Sequence, residues 1–213
     1  MRFDELLAEV ADEAVFETGL LLVGDRDPGD VRRQLSRWVA AGQVYPLRRG
    51  LYALAPPYRK VRPHPFLVAN HLQRGSYVSL QAALGHYGLI PEYVPVTTSV
   101  GPGSPRRWDT PVGRFELRHL AAGLMGNYRQ IEVGTGQRAL VATPEKALLD
   151  LVHLVPGADR PEYLRELRLQ NLESLDLDAL ARVAETLGKP KLRRAAKIVA
   201  ELAETEMAEY ETL

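Results

Sequence analysis

Residues 31–38 read VRRQLSRW and residues 47–54 read LRRGLYAL. The first segment sets Arg32, Arg33 and Arg37 beside Gln34 and Ser36, and the second sets Arg48 and Arg49 before a glycine. A guanidinium is a planar fork of N–H donors that can place two parallel hydrogen bonds on guanine O6 and N7 or on phosphate oxygens. Arg32, Arg33, Ser36 and Arg37, with Gln34 on their flank, are therefore candidates for the major groove of DNA. Arg48 and Arg49 are candidates for its phosphates.

Such side chains need rigid elements beneath them. Asp27 can cap a helix whose first turn holds Pro28, where the missing N–H has no intrahelical partner to lose. Val31, Leu35, Trp38 and Val39 then recur at the helical period and give one apolar stripe, with Arg33, Ser36 and Arg37 opposite. Gly42 ends that helix. Val44, Tyr45 and Leu47 lead to Arg48-Arg49-Gly50, and Leu51, Tyr52, Ala53 and Leu54 resume an extended pattern, which reads as a two-stranded wing. A helix followed by a basic hairpin is the order of a winged helix-turn-helix. Phe3, Leu6, Leu7 and Val10 mark a preceding amphipathic helix, and residues 15–23 are expected to form another. The plainer reading of charges opposite an apolar stripe is a solvated face.

Charge is segregated along this part of the chain. Residues 1–25 hold one basic residue, Arg2, against Asp4, Glu5, Glu9, Asp12, Glu13, Glu17 and Asp25. Residues 26–62 hold Arg26, Arg32, Arg33, Arg37, Arg48, Arg49, Arg59, Lys60 and Arg62 against Asp27 and Asp30. The whole chain is neutral, with 27 basic and 27 acidic residues, so the basic character belongs to one segment. A hydrophobic content of 46% over 213 residues suits one large globular domain or two small ones. There is no cysteine, which excludes disulfides, thiolate metal sites and thiol catalysis. No apolar run is long enough to cross a bilayer, and the acidic start MRFDELLAEV lacks the pattern of a secretion signal; a cytoplasmic protein is expected.

The prolines and basic residues of 55–65 read as a linker, which predicts a domain of residues 1–60 and a second of residues 61–213. In the second, residues 66–72 and then Leu80, Ala83, Leu84 and Tyr87 have helical spacing, with Ser79 as a cap and Gly88 as a stop. Residues 94–100, 114–120, 129–133 and 138–142 are short β-rich runs, predicting a small antiparallel sheet, and residues 101–105 an exposed loop. Thr143 caps a further helix begun by Pro144, and helices are expected over residues 161–169, 177–187 and 191–210. The fold class is thus α+β: a winged helix-turn-helix, then a larger mixed domain with a small sheet and C-terminal helices.

Three other groups of residues could do chemistry. The five histidines, His64, His71, His86, His119 and His153, form no close pairs with carboxylates, so neither a metal nor a cofactor is expected. Glu145, Lys146 and Asp150 could serve a metal-dependent nuclease, but a first-turn glutamate favoured by the helix dipole, followed by packing, is the simpler account. In the final helix Lys189, Lys191, Arg193, Arg194 and Lys197 crowd the start, while Glu201, Glu204, Glu206, Glu209 and Glu211 crowd the end. That order opposes the macrodipole. Either Lys191, Arg193, Arg194 and Lys197 form a second nucleic-acid or partner surface, or acidic groups elsewhere bridge them.

Residues 31–38, 47–54, 79–84 with 88–91, and 143–150 (TPEKALLD) together resemble the AbiEi-type transcriptional regulators, the antitoxins of bacterial abortive-infection (type IV) toxin–antitoxin systems. The resemblance implies an N-terminal winged helix that represses its own promoter at inverted repeats, and a C-terminal domain that counteracts a co-encoded nucleotidyltransferase toxin, with or without a stable complex. It places DNA contacts on residues 31–38 and on Arg48 and Arg49, and it implies no catalytic residue. The alternatives are a module that neutralises the toxin by direct binding and a stand-alone winged-helix regulator. A nucleic-acid-processing enzyme is held in reserve.

Overall fold

The computed structural model describes residues 1–24 and 26–210, with side chains described as far as residue 205. Asp25 and Glu211, and the side chains of Glu206 and Glu209, counted in the charge pattern above, lie outside that description. The chain is α+β, with eight α-helices and two sheets among the described residues.

The N-terminal part begins with α1 (Phe3–Val10), whose Glu5 carboxylate accepts from the Arg2 N–H at 3.0 Å. Residues 15–23 do not form the expected helix. They form β1 (Phe16–Glu17) and a 3-10 helix, Thr18–Leu22, because pairing across the chain outweighs local propensity: Phe16 pairs with Tyr52 and stacks on its ring at 5.8 Å, and Glu17 pairs with Leu51. Next comes α2 (Pro28–Ala40), where Asp27 accepts from the Asp30 N–H at 2.8 Å and Pro28 takes the first turn. The stripe Val31, Leu35 and Trp38 is buried against Leu6, Val10, Leu21 and Val44. The hairpin of β2 (Val44–Arg48) and β3 (Leu51–Leu54) turns at Gly50, whose φ of 79° is open to glycine without strain, and completes a three-stranded sheet in the order β1-β3-β2.

In place of the expected small antiparallel sheet, the second part holds six strands of mixed direction. These are β4 (Tyr77–Val78), β5 (Val96–Gly101), β6 (Arg106–Thr110), β7 (Gly113–His119), β8 (Tyr128–Gly134) and β9 (Gln137–Ala142), in the order β6-β7-β5-β4-β9-β8. The outer hairpins β6-β7 and β8-β9 are antiparallel, as is β4-β5, whereas β5-β7 and β4-β9 are parallel. Along β7, Phe115 and Leu117 are buried while Arg114, Glu116 and Arg118 are not, the period-two alternation of a strand with one covered face. Helices α3 (Pro65–Leu72), α4 (Leu80–His86) and α5 (Pro144–Leu154) pack on the sheet. After α6 (Pro161–Glu166), α7 (Leu177–Leu187) and α8 (Pro190–Tyr210) pack on α5. No helix among the described residues is long and apolar enough to cross a membrane.

The middle of the sheet is thin. β4 contributes two residues and bridges β9 through one pairing, Val78 with Val141. Two carboxamides bond to backbone groups of β9 and of the linker. Asn70 of α3 accepts from the Leu140 N–H at 2.6 Å and donates to the Leu140 carbonyl at 3.3 Å. Gln137 accepts from the His64 N–H at 2.8 Å and donates to the Arg62 carbonyl at 3.0 Å. Each side-chain amide imitates a strand neighbour, offering one donor and one acceptor to an extended backbone.

Beside β4 lies a buried polar cluster. Lys146 is 0% exposed and Asp150 2%, and the two form an ion pair along α5. Ser79 Oγ and Tyr77 Oη donate to the other Asp150 oxygen at 2.8 and 3.1 Å, and the ammonium sits 5.5 Å from the centre of the Tyr77 ring. Ser79 occupies the N-cap position of α4 but gives its hydroxyl to Asp150 instead of closing the helix, and Leu80 follows with φ of 55°, a strained conformation for a leucine. Burial pushes the Asp150 carboxyl up and the Lys146 ammonium down, and each charge opposes the shift of the other. Glu145, expected to serve the dipole of its own helix, is buried and accepts from the Asp176 N–H at 3.2 Å ahead of α7.

Removing one member of a buried ion pair leaves the other uncompensated, so Lys146→Met should lower the unfolding free energy by about 3–5 kcal/mol in a urea titration. A loss below about 1 kcal/mol would mean that the pair contributes no more than an exposed one. Ser99 Oγ is buried and has no hydrogen-bond partner among the described residues. Ser99→Ala removes that orphan, and the same titration should show stability unchanged or raised by up to about 1 kcal/mol.

Candidate nucleic-acid interface

Because the apolar stripe of α2 is buried, its opposite face is fixed outward. Arg32, Arg33, Ser36 and Arg37 are exposed, and Gln34 is half-buried on the flank of the stripe. Arg33 pairs with Asp30 one turn earlier, with both side chains about two-thirds exposed, a pair that water and salt weaken readily. Ser36 Oγ donates to the Arg32 carbonyl at 3.0 Å, which leaves its lone pairs free to accept. Arg32 and Arg37 have no carboxylate within 4.0 Å among the described residues, and neither does Arg49 at the exposed hairpin turn. Acidic groups of α1 and of the turn after it are drawn off elsewhere: Asp4 and Glu5 by Arg2, Glu9 by Arg26, and Asp12 by Lys60. Positive charge therefore remains on α2 and the hairpin turn.

Arg48 parts company with its neighbour. Its guanidinium donates to the His71 carbonyl from Nε at 3.2 Å and from Nη2 at 3.0 Å, to the Arg49 carbonyl at 3.0 Å, and reaches Glu17 at 3.3 Å. Glu17 also accepts from Arg74 at 2.6 Å. Arg48 thus satisfies a carbonyl in the last turn of α3 that has no intrahelical donor, and it ties the hairpin to the second part of the chain. The phosphate role expected for it from the sequence conflicts with this engagement. Val15, Leu47, Leu51 and Ala53 reinforce the tie by packing into the larger hydrophobic core. The sequence offered no sign of Glu17 or His71 in this role, because their contacts with Arg48 span 31 and 23 residues.

Four of the basic residues at the start of α8 have partners within the protein. Lys191 Nζ donates to the Val155 carbonyl at 2.6 Å, Arg193 pairs with Glu185 at 2.9 Å, Arg194 with Asp159 at 2.6 Å, and Lys197 with Glu201 at 3.9 Å. Carboxylates beside Arg193, Arg194 and Lys197 offset part of the unfavourable dipole, and Lys191 shares the Val155 carbonyl with the Ala158 N–H; the pairs of Arg193 and Lys197 are exposed, like that of Arg33, and water and salt weaken them in the same way. Among the described residues no group of three or more histidines and carboxylates is placed to hold a metal ion. Glu145, Lys146 and Asp150 are sealed from solvent, so a substrate does not reach them in this conformation.

The hydrogen bond from Arg194, aided by its charge, holds the Asp159 carboxyl below the usual carboxylate range. A depressed pKa contributes stability that is present above the unfolded value of about 3.9 and is lost as pH falls through the lower folded value. Asp159→Asn should therefore lower the melting temperature at neutral pH, and the gap to wild type should close on acidification below about pH 4. A gap that stayed constant from neutral to strongly acidic pH would show that the carboxylate charge is not its source.

No family model matches the chain, and no curated protein matches it. Among solved structures, its fold is similar to that of the RV2827C protein from Mycobacterium tuberculosis, with a TM-score of 0.56 over 92% of this chain and 75% of that one. At 18% sequence identity the likeness is one of fold.

Proposed function

We propose that the protein is a DNA-binding transcriptional autorepressor whose α2 enters the major groove and whose β2-β3 hairpin acts as a wing on the phosphate backbone. The observation that carries the reading is the outward face of α2 together with the turn beside it: the guanidinium groups of Arg32, Arg37 and Arg49 are solvent-exposed and have no acidic partner among the described residues. The order of a helix followed by a hairpin, closed by a third short strand, agrees with a winged helix-turn-helix. Promoter DNA with inverted repeats is the partner, and the protein works in the cytoplasm without enzymatic activity of its own. The antitoxin half of the proposal, action against a co-encoded nucleotidyltransferase toxin, is supported by the AbiEi resemblance of residues 31–150.

A mobility-shift assay on the upstream promoter separates the roles. Arg33→Ala and Arg37→Ala should each weaken operator binding by about 1–3 kcal/mol and relax sequence choice. Arg49→Ala should weaken binding to all duplexes alike and reduce the salt slope by about one unit. Arg48→Ala should lower the melting temperature and leave the salt slope intact, since its guanidinium is engaged within the protein. Unchanged operator affinity in the Arg33→Ala, Arg37→Ala double variant would remove α2 from the interface. Growth rescue on co-expression with the neighbouring gene tests the antitoxin role, and failure to rescue would leave a stand-alone regulator.

A further inference from the structure

A groove of about 460 Å³ lies in the larger domain, within the roughly 300–1,000 Å³ typical of small-molecule sites. It is lined by Arg62 and His64 of the linker, Phe66 of α3, His86 of α4, Thr97 of β5 and Arg114 of β7. Three kinds of chemistry converge there from separate elements.

The first is an aromatic wall. The His64 and Phe66 rings meet edge-on with centroids 5.1 Å apart, and the Phe66 and His86 rings lie 5.3 Å apart. His64 Nδ1 accepts from the Phe66 N–H at 3.1 Å, which assigns its ring proton to Nε2 and makes that atom a donor. Burial lowers the pKa of both histidines, so they present neutral rings near pH 7. The second is a pair of guanidinium groups. Arg62 and Arg114 are exposed and have no carboxylate within 4.0 Å among the described residues, while Glu92 at the groove is turned to Arg168 at 4.0 Å. The third is a hydroxyl: Thr97 is 9% exposed, and no hydrogen bond among the described residues uses its side chain. The linker residues are not loose, because Gln137 clamps the backbone at Arg62 and His64.

Two unpaired guanidinium groups match a phosphate, a wall of edge-linked rings matches a planar heterocycle, and a buried hydroxyl beside them matches a polar edge between the two. We infer that the groove binds a mononucleotide, with its phosphate on Arg62 and Arg114 and its base against His64, Phe66 and His86. Inorganic phosphate would leave the aromatic wall idle, and a free nucleoside would leave the guanidinium groups idle. The site is separate from the proposed DNA surface on α2 and does not depend on it.

The test is calorimetric titration of the full chain with adenosine monophosphate, adenosine and inorganic phosphate, together with amide chemical-shift mapping. Adenosine monophosphate should bind saturably and shift the Gly85 and Gly113 amides at the groove, with adenosine and phosphate each at least about tenfold weaker. The Arg62→Gln, Arg114→Gln double variant should lose about tenfold or more in affinity while keeping its melting temperature, since both side chains are exposed. Thr97→Val should give a smaller loss. Should the double variant unfold, either single variant reports the same comparison. Absence of saturable binding, shifts mapping elsewhere, phosphate matching adenosine monophosphate, or variants binding like wild type would each overturn the assignment.

Discussion

The six-stranded sheet depends on a join only two residues wide. Among the described residues, Tyr77 and Val78 form the one strand between the β6-β7-β5 half of the sheet and the β9-β8 half. So short a strand cannot satisfy the backbone on both sides, and an unsatisfied buried amide or carbonyl is costly. The Asn70 carboxamide satisfies strand backbone at Leu140 of β9; two further side-chain devices act around the sheet, the Gln137 carboxamide on the linker and the Lys146–Asp150 pair whose carboxylate collects the hydroxyls flanking Val78. Each fixes something beyond the sheet. Asn70 seats α3, Gln137 sets the path of the chain out of the N-terminal part, and Asp150 holds the start of α4.

The proposed interface inherits this order. The last turn of α3 presents the His71 carbonyl that Arg48 grips, and Glu17 joins Arg48 to Arg74, so the hairpin turn is oriented by the elements behind it as well as by its own strands. Adjacent arginines consequently do different work: Arg48 fastens the hairpin inward and Arg49 faces solvent. At the start of α8, Arg193 and Arg194 likewise lie against carboxylates, and Lys191 donates to a backbone carbonyl.

What the sequence revealed was local. The Asp27 and Thr143 caps, the apolar stripe of α2 and the bounds of α7 follow from spacing within one turn or one element, and the structure has them where expected. What escaped was non-local. β4 is too short to leave a pattern, β6 reads RRWDT and looks like loop because an edge strand carries charge freely, and Phe16 and Glu17 became a strand through pairing with β3. The same distinction divides the candidate residues. The exposure of Arg32, Arg33 and Arg37 followed from helical phase, whereas the engagement of Arg48 and of Arg194 depended on partners 23 and 35 residues away. The groove at His64, Phe66 and His86 left no trace in the sequence for the same reason.

The buried charge pair also constrains the route by which the chain folds. Lys146 and Asp150 meet as soon as one turn of α5 forms, at first as a solvated pair of small worth, whereas the hydroxyls that complete the cluster lie 71 and 73 residues earlier. Stripping water from the two charges must therefore coincide with closing that long loop around β4. Two unfavourable contributions, dehydration and loop closure, fall in one step, and the sheet gains its central pairing only after both. The join at β4 therefore carries the cost of a long loop as well as of two dehydrated charges, with α5 as the element on which both are met.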